Sequence, residues 1–217
     1  MCGRYELNET PARLGSRYRI EPGDLEFAQS DDVRPTETNP VIMLADGRRA
    51  ASMRRWGLVP FWAKEPTAMS HPINARSEEA YAKPMFRGAF KSKRCLVPAS
   101  AFFEWRAIEG QKKKAKYRIA RADGDWVTLA GLYDRWHRGD DVLETYTILT
   151  TAPNALMQTI HNRMPVILGQ GDEDEWLDPA TRVDTARAMC MPCPSEWLTA
   201  VPLSQQLPAA RRVEPAG

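Results

Sequence analysis

Apolar residues along the chain fall into short runs, alternating or continuous, and nearly every run is closed by a turn signal. Val41-Ile42-Met43-Leu44, then Asp46-Gly47, then a second run reaching Trp56 predict a β-hairpin. Residues 95–97 and 101–105 predict strands flanking Pro98. Residues 117–120, 126–133 and 143–150 predict three more, with turns at Asp123-Gly124 and Gly139-Asp140. Residues 164–168 read as a further strand that Pro165 places at an edge. Helical signals are fewer and shorter. Thr10-Pro11 supplies an N-cap and a first-turn proline, with Leu14 and Tyr18 following on one face. Residues 75–90 hold one or two short helices, Asn154 caps another that reaches about Ile160, and residues 172–177 and 181–188 complete the set. Residues 31–40 and 60–72 read as loops, the second rich in aromatics and proline.

Many short strands with short helices at the margins argue for an α+β protein. Long amphipathic crossover helices are missing, which excludes a doubly wound parallel sheet. The composition, 43% hydrophobic and 27% charged, excludes wholesale disorder and collagen. No apolar run approaches the roughly 20 residues of a membrane span, so no membrane association is expected. At 217 residues the chain is expected to form one domain over 1–208, with a loose tail at 209–217. No basic, then apolar leader opens the sequence, so a cytoplasmic protein with reduced cysteines at 2, 95, 190 and 193 is expected.

Net charge is only +2, yet residues 83–121 carry twelve Lys/Arg against two Glu, and the remainder is correspondingly acidic. Such asymmetry fits a polyanion contacted on one face, although Lys112-Lys113-Lys114 reads equally well as a solvated hairpin tip. The seven tryptophans are open to two readings, buried core and base stacking.

Candidate chemistry starts at Cys2. Removal of the initiator methionine would expose a 1,2-aminothiol, with an amine that condenses with aldehydes and a thiol placed to add to the resulting imine. Glu104 lies in Ala101-Phe102-Phe103-Glu104-Trp105, where strand alternation puts it beside Phe102 and apart from Phe103 and Trp105. A carboxylate in so apolar a run suits general acid–base work. His161 could shuttle protons, and Asn74 could orient a nucleophile or cap the following helix. His71 and His137 have no partner pattern and read as structural or surface residues. Cys190-x-x-Cys193 lacks the second half of a zinc site and the βαβ setting of a redox motif, so no metal is expected. Glycine-rich phosphate loops, G-x-S-x-G and His-Glu-x-x-His are absent, and no cofactor is implied.

Taken in order, Met1-Cys2-Gly3-Arg4-Tyr5, Arg55-Trp56-Gly57-Leu58-Val59-Pro60 with Trp62, Ile73-Asn74-Ala75-Arg76-Ser77-Glu78, Arg94-Cys95-Leu96-Val97-Pro98 with Phe103-Glu104-Trp105, and Ile160-His161-Asn162-Arg163-Met164-Pro165 resemble the SOS-response-associated peptidase (SRAP) family. The resemblance implies an antiparallel β-barrel-like core of short strands with flanking short helices. It implies a monomeric, nucleoid-associated DNA repair protein that shields abasic sites in single-stranded DNA. In that pattern Cys2 forms a thiazolidine with the ring-opened sugar, Asn74 positions it, and Glu104 and His161 move protons. AP-lyase cleavage is a side activity, and the peptidase name refers to removal of Met1 by the same cysteine. The resemblance makes Arg4, Arg76, Trp62, Trp105 and Pro35 DNA contacts. The family's Asn-x-Ala-Pro loop is here Asp32-Val33-Arg34-Pro35, with Arg34 placed to offset the added charge. Val201-Pro202-Leu203-Ser204 is similar to the family's Pro-Val-Ser stretch, without the asparagines that follow it. Two other readings remain: a noncovalent single-stranded DNA module, and a cysteine peptidase acting in trans through Cys2, His161 and Asn74.

Overall fold

The structure, a computed structural model, describes residues 2–20 and 26–203. Met1, Ser204 of the C-terminal motif and the tail expected at 209–217 lie outside the described residues. In chain order the elements are β1 (Tyr5–Leu7), α1 (Pro11–Tyr18), β2 (Ser30–Val33), β3 (Thr38–Ala45), β4 (Arg48–Trp56), β5 (Asn74–Arg76), α2 (Ser77–Ala80), α3 (Arg87–Ser92), β6 (Arg94–Ala99), β7 (Ala101–Arg106), β8 (Ala115–Arg121), β9 (Val127–Arg138), β10 (Asp141–Thr151), α4 (Ala155–Gln158), β11 (Met164–Pro165), α5 (Glu173–Leu177), α6 (Val183–Ala188) and β12 (Leu198–Pro202).

The hairpin chemistry predicts its own turn. Asp46 and Gly47 have φ of 49° and 74°, the left-handed pair of a tight hairpin whose twist matches its strands. β3 and β4 pair from Thr38 opposite Arg55 to Ala45 opposite Arg48. The path β4–β3–β6–β9–β10 closes on itself, because β10 pairs β9 along one edge and the end of β4 along the other. The result is a five-stranded barrel, with short strands β5 and β11 added to β10. A second sheet, β12–β8–β7–β1–β2, is antiparallel throughout. β10 runs parallel to β4 and to β5. The antiparallel pattern therefore breaks at one edge of β10, where two chain segments of the same direction share it.

Inside the barrel, Gly131 of β9 faces Cys95 of β6 in register. A Cβ there would lie 2.8 Å from the Cys95 sulfur and 2.9 Å from Val97, so only glycine lets the two strands approach. β6 continues through Pro98 instead of ending before it. Its neighbour β3 pairs only at Leu96, so the missing proline N–H costs no ladder bond on that side.

Two expectations need correction. Residues 31–40 are not all loop: β2 pairs with β1, Val33 opposite Tyr5, and β3 begins at Thr38. The strand expected at 164–168 is only Met164–Pro165, continued by a single bridge between Ile167 and Leu129. Local pattern alone could not show that β1 would be there to pair with the polar Ser30-Asp31-Asp32.

The tryptophans also resolve. Trp56, Trp126, Trp136 and Trp176 are buried, so most of the count belongs to the core. Trp56 stacks on Tyr146 at 6.2 Å and meets Tyr5 edge-on at 5.3 Å. The Tyr5 and Tyr146 hydroxyls bond at 2.8 Å. This aromatic triad ties β1 to the barrel and fixes the start of the chain against it.

The basic segment is spent internally to a large degree. Arg94 is buried, Lys93 pairs with Asp134, Arg118 with Glu6, Arg121 with Asp123, Lys83 with Glu79, and Lys116 lies near Asp32. The charge count therefore overstates the positive surface open to a partner.

Candidate functional site

Cys2 lies just before β1 and is fully buried. Desolvation pushes its thiol far above the usual range, and the Glu104 carboxylate adds to that shift by disfavouring a second negative charge. The proximity of Glu104 follows from β7. Phe102 pairs with Tyr5 of β1, and Glu104, two residues on, projects to the same side. Glu104 is 2% exposed, opposite Tyr117 of β8. The alternation read from the sequence is the one observed: Phe103 and Trp105 share the other face, where the Lys116 ammonium sits 3.9 and 5.6 Å from their ring centroids.

Asn74 reaches the same place from a segment 72 residues away. β5 runs parallel to β10, Asn74 opposite Ile148, and the Asn74 Nδ2 donates to the Cys2 carbonyl at 2.8 Å. The Asn74 Oδ1 is buried with no hydrogen-bond partner among the described residues. Asn74 is thus a strand residue holding the Cys2 segment. The cap alternative fails, because the residue before α2 is Arg76 and no side chain caps that helix.

β10 also places His161. Thr150 of β10 faces Arg76 of β5 on one edge and Pro165 of β11 on the other, so the His161 loop returns beside the Asn74 strand. Arg163 clamps that loop, with two bonds to Glu78 of 2.6 and 2.7 Å and one to the Thr150 carbonyl at 2.7 Å. The Arg163 hydrogen bonds hold the Glu78 carboxyl below its ordinary range. The His161 Nδ1 accepts the Arg163 backbone N–H at 3.1 Å, which fixes the ring's orientation.

The DNA-contact candidates spread over the outer surface. Arg76 is exposed on β5, Arg4 and Pro35 are partly exposed, and Trp105 is half-buried. Arg4 is ion-paired with Asp32. Trp62 is 47% exposed, and its neighbour Phe61, which the sequence reading passed over, is 58% exposed. Their loop is pinned by buried polar groups. Val59 N–H donates to the Thr145 hydroxyl at 2.9 Å, Phe61 N–H to Asp134 at 2.9 Å, and the Trp136 indole to the Ala63 carbonyl at 2.6 Å. Lys93, itself on Asp134 at 2.5 Å, lies 5.0 Å from the Phe61 ring centroid. A cavity of about 420 Å³ opens between these two aromatics and residues 84–89. The backbone of the loop is thus held while its two large rings stay in solvent. The pair's only sequence signal was Phe61 standing next to Trp62 after Pro60.

Pro35 opens a turn closed by the Glu37 N–H on the Arg34 carbonyl at 3.2 Å. Thr36 in that turn has φ of 77°, a left-handed conformation that a β-branched residue rarely adopts. Its side chain is exposed, so glycine would relieve strain at no packing cost. Thr36→Gly is expected to stabilise the fold by about 0.5–1 kcal/mol, raising Tm by about 1–4 °C. Thermal denaturation checks this, and a lower Tm would show that the threonine side chain holds the turn.

The other thiols are inert. Burial raises Cys95 and Cys190 to about 12 and Cys193 to about 11, so all three stay protonated near neutrality. The cysteines are free, and no group of three or more His, Cys, Asp or Glu among the described residues is arranged to hold a metal. No helix among them is long and apolar enough to cross a membrane.

A family model described as SOS response associated peptidase (SRAP) matches residues 1–209. Similar proteins include abasic site processing protein YoqW of Bacillus subtilis (strain 168), 34% identical over 219 residues, covering 99% of this chain and 97% of that one. Abasic site processing protein HMCES of Xenopus tropicalis is 31% identical over 259 residues, covering 99% of this chain and 77% of that one. Among solved structures, a protein of Bacteroides thetaiotaomicron superposes with a TM-score of 0.81 at 29% identity, covering 92% of this chain and 90% of that one.

Proposed function

The chain belongs to the SOS response associated peptidase family, and on that premise we propose that it captures abasic sites in single-stranded DNA through a thiazolidine at Cys2. The observation that carries this reading is the Asn74 hydrogen bond to the Cys2 carbonyl beside the buried Glu104. That arrangement grips the residue which becomes the N-terminus once Met1 is hydrolysed off.

The chemistry then needs two steps. The Cys2 amine adds to the C1′ aldehyde of the ring-opened sugar, and water leaves to give an imine. The thiol adds to the imine carbon while its proton passes to nitrogen, which closes the five-membered ring. The net change is loss of one water. Because burial keeps the thiol protonated, a base must take its proton as the C–S bond forms, and Glu104 is the carboxylate whose charge acts on that sulfur. The oriented His161 is assigned proton transfer at the sugar. The Asn74 Oδ1 is an acceptor for the new α-amine. The imine also acidifies the sugar's C2′ proton, so β-elimination competes with ring closure as an AP-lyase side reaction.

The geometry argues against a peptidase acting in trans. In a Cys-His-Asn arrangement the asparagine orients the histidine, and the thiolate is stabilised. Here Asn74 holds the Cys2 backbone, and the thiol is shifted upward. A noncovalent single-stranded DNA module draws support from the exposed Phe61 and Trp62. A denaturing gel separates it from covalent capture. Protein lacking Met1, mixed with a single-stranded oligonucleotide containing one abasic site, is expected to give a heat-stable shifted band whose mass is the sum of the two minus water. An undamaged oligonucleotide is expected to give none. Binding without a shifted band would leave only the noncovalent module.

A further inference from the structure

Asp32 stands where the surface would otherwise present a bare cluster of cations. Arg4 Nη1 pairs with its Oδ2, and Arg34 donates to the same oxygen through Nε at 3.2 Å and Nη2 at 3.0 Å. The Lys116 ammonium is 4.0 Å from Oδ1, an oxygen that accepts no hydrogen bond among the described residues. Three positive side chains, from just before β1, just after β2 and from β8, thus converge on one carboxylate, itself about a third exposed. The cluster borders the Cys2 segment through Arg4, two residues on, and the Phe103 and Trp105 rings through Lys116, which covers the first and approaches the second.

We propose that Asp32 is a built-in competitor for the DNA backbone, its carboxylate filling an anion position made by Arg4, Arg34 and Lys116 that a phosphate must take over. This rests on reading the site as one that binds single-stranded DNA. An ion pair about a third exposed costs little to break, and a phosphate offers three acceptor oxygens to the same donors. The exchange of one anion for another has a specific consequence. When a phosphate displaces Asp32, the freed carboxylate draws in a cation that offsets one released from the DNA, so net counterion release is smaller and binding depends less steeply on salt than the number of arginines suggests. Attraction to undamaged strands is thereby held down, and retention falls to the covalent step at a lesion.

The test is fluorescence anisotropy with a labelled, undamaged oligothymidylate over a salt series, using Asp32→Asn, Arg4→Ala and the double variant. Asparagine keeps the shape and one acceptor but removes the charge. Asp32→Asn is expected to tighten binding at low salt about fivefold. The slope of log affinity against log salt is expected to steepen by about 0.7, the value for one further phosphate contact on a single strand. In the Arg4→Ala background the gain is expected to be largely lost, whereas a general charge effect would persist in full. An unchanged affinity and slope, a full gain without Arg4, or weaker binding with a lowered Tm would each overturn the competitor role. Cross-linking of the wild-type chain to an abasic oligonucleotide is run beside it. Cross-linking with no response to Asp32→Asn overturns the competitor alone, and neither binding nor cross-linking by the wild type overturns the DNA reading with it.

Discussion

Cys2→Ser is expected to lower heat-stable capture of an abasic oligonucleotide by roughly 100-fold or more, while leaving an imine that borohydride reduces to a permanent adduct. With Met1 first removed from wild type and variant alike by a methionine aminopeptidase, serine keeps the backbone, the Asn74 hydrogen bond to the residue-2 carbonyl and the free α-amine. It removes only the sulfur that closes the ring. Condensation at C1′ therefore proceeds, but a neutral hydroxyl is a far weaker nucleophile toward the imine, and the adduct stays open to hydrolysis. Putting a hydroxyl in this fully buried position costs about 1–3 kcal/mol, so the comparison is made below the variant's own Tm. The two readouts separate the parts of the mechanism. A heat-stable band at the wild-type level would remove the thiol from the chemistry. Failure of borohydride to trap anything, with the wild type still cross-linking, would mean that the amine does not attack first. AP-lyase cleavage passes through the same imine and is expected to persist or rise in Cys2→Ser.

What the sequence could and could not disclose follows from the range of the interactions. The β3–β4 hairpin was legible because its turn residues and the two runs that flank them lie next to one another between Val41 and Trp56. Glu104 was legible as buried because Phe102, Phe103 and Trp105 surround it in the chain, and period-2 geometry does the rest. The N-cap of α1 was equally local, with the Thr10 hydroxyl accepting the Arg13 N–H at 3.3 Å. The junction of Asn74 with Cys2 was not legible from patterning. It depends on β5 lying parallel to β10 and on Tyr5 meeting Trp56 and Tyr146 across the two sheets. The internal pairing of the basic segment was hidden for the same reason. Glu6, Asp32 and Asp134 take up cations of the basic segment from distant strands, and a running count sees none of those pairs. Asp32 and Arg34 were close enough to be read together, whereas Arg4 and Lys116 came to that cluster only through sheet topology.

Arg94 is the sharpest case, and its replacement is expected to have the largest effect on stability. Counted from the sequence it is one more cation in the basic segment, and its loss would change surface charge alone. In the structure it is 2% exposed and lies beneath the outer helices. Its Nη1 donates to the Phe90 and Lys91 carbonyls at 2.7 and 2.8 Å, which closes the C-terminal turn of α3. Its Nε donates to the Trp176 carbonyl at 2.6 Å and its Nη2 to the Asp178 carbonyl, at the end of α5. Four bonds from a guanidinium with five N–H groups, all to backbone carbonyls, make it a shared cap for two helix ends that would otherwise bury unpaired acceptors. The negative ends of two helices also favour a cation there. Arg94→Met keeps most of the volume and removes every donor. It is expected to cost about 3–5 kcal/mol, a large part of the 5–15 kcal/mol typical of a domain, and to lower Tm by roughly 10 °C. Arg94→Lys is expected to recover only part of this, since an ammonium cannot span two helix termini with a planar fork. Thermal and urea denaturation of both variants provide the check. Cross-linking per folded molecule, read well below each Tm, is expected to stay near the wild-type level, because none of Arg94's bonds reaches Cys2, Asn74, Glu104 or His161. A Tm within a degree or two of wild type would return Arg94 to the surface charge that the sequence suggested. A normal Tm with lost DNA binding would make it a phosphate contact despite its burial.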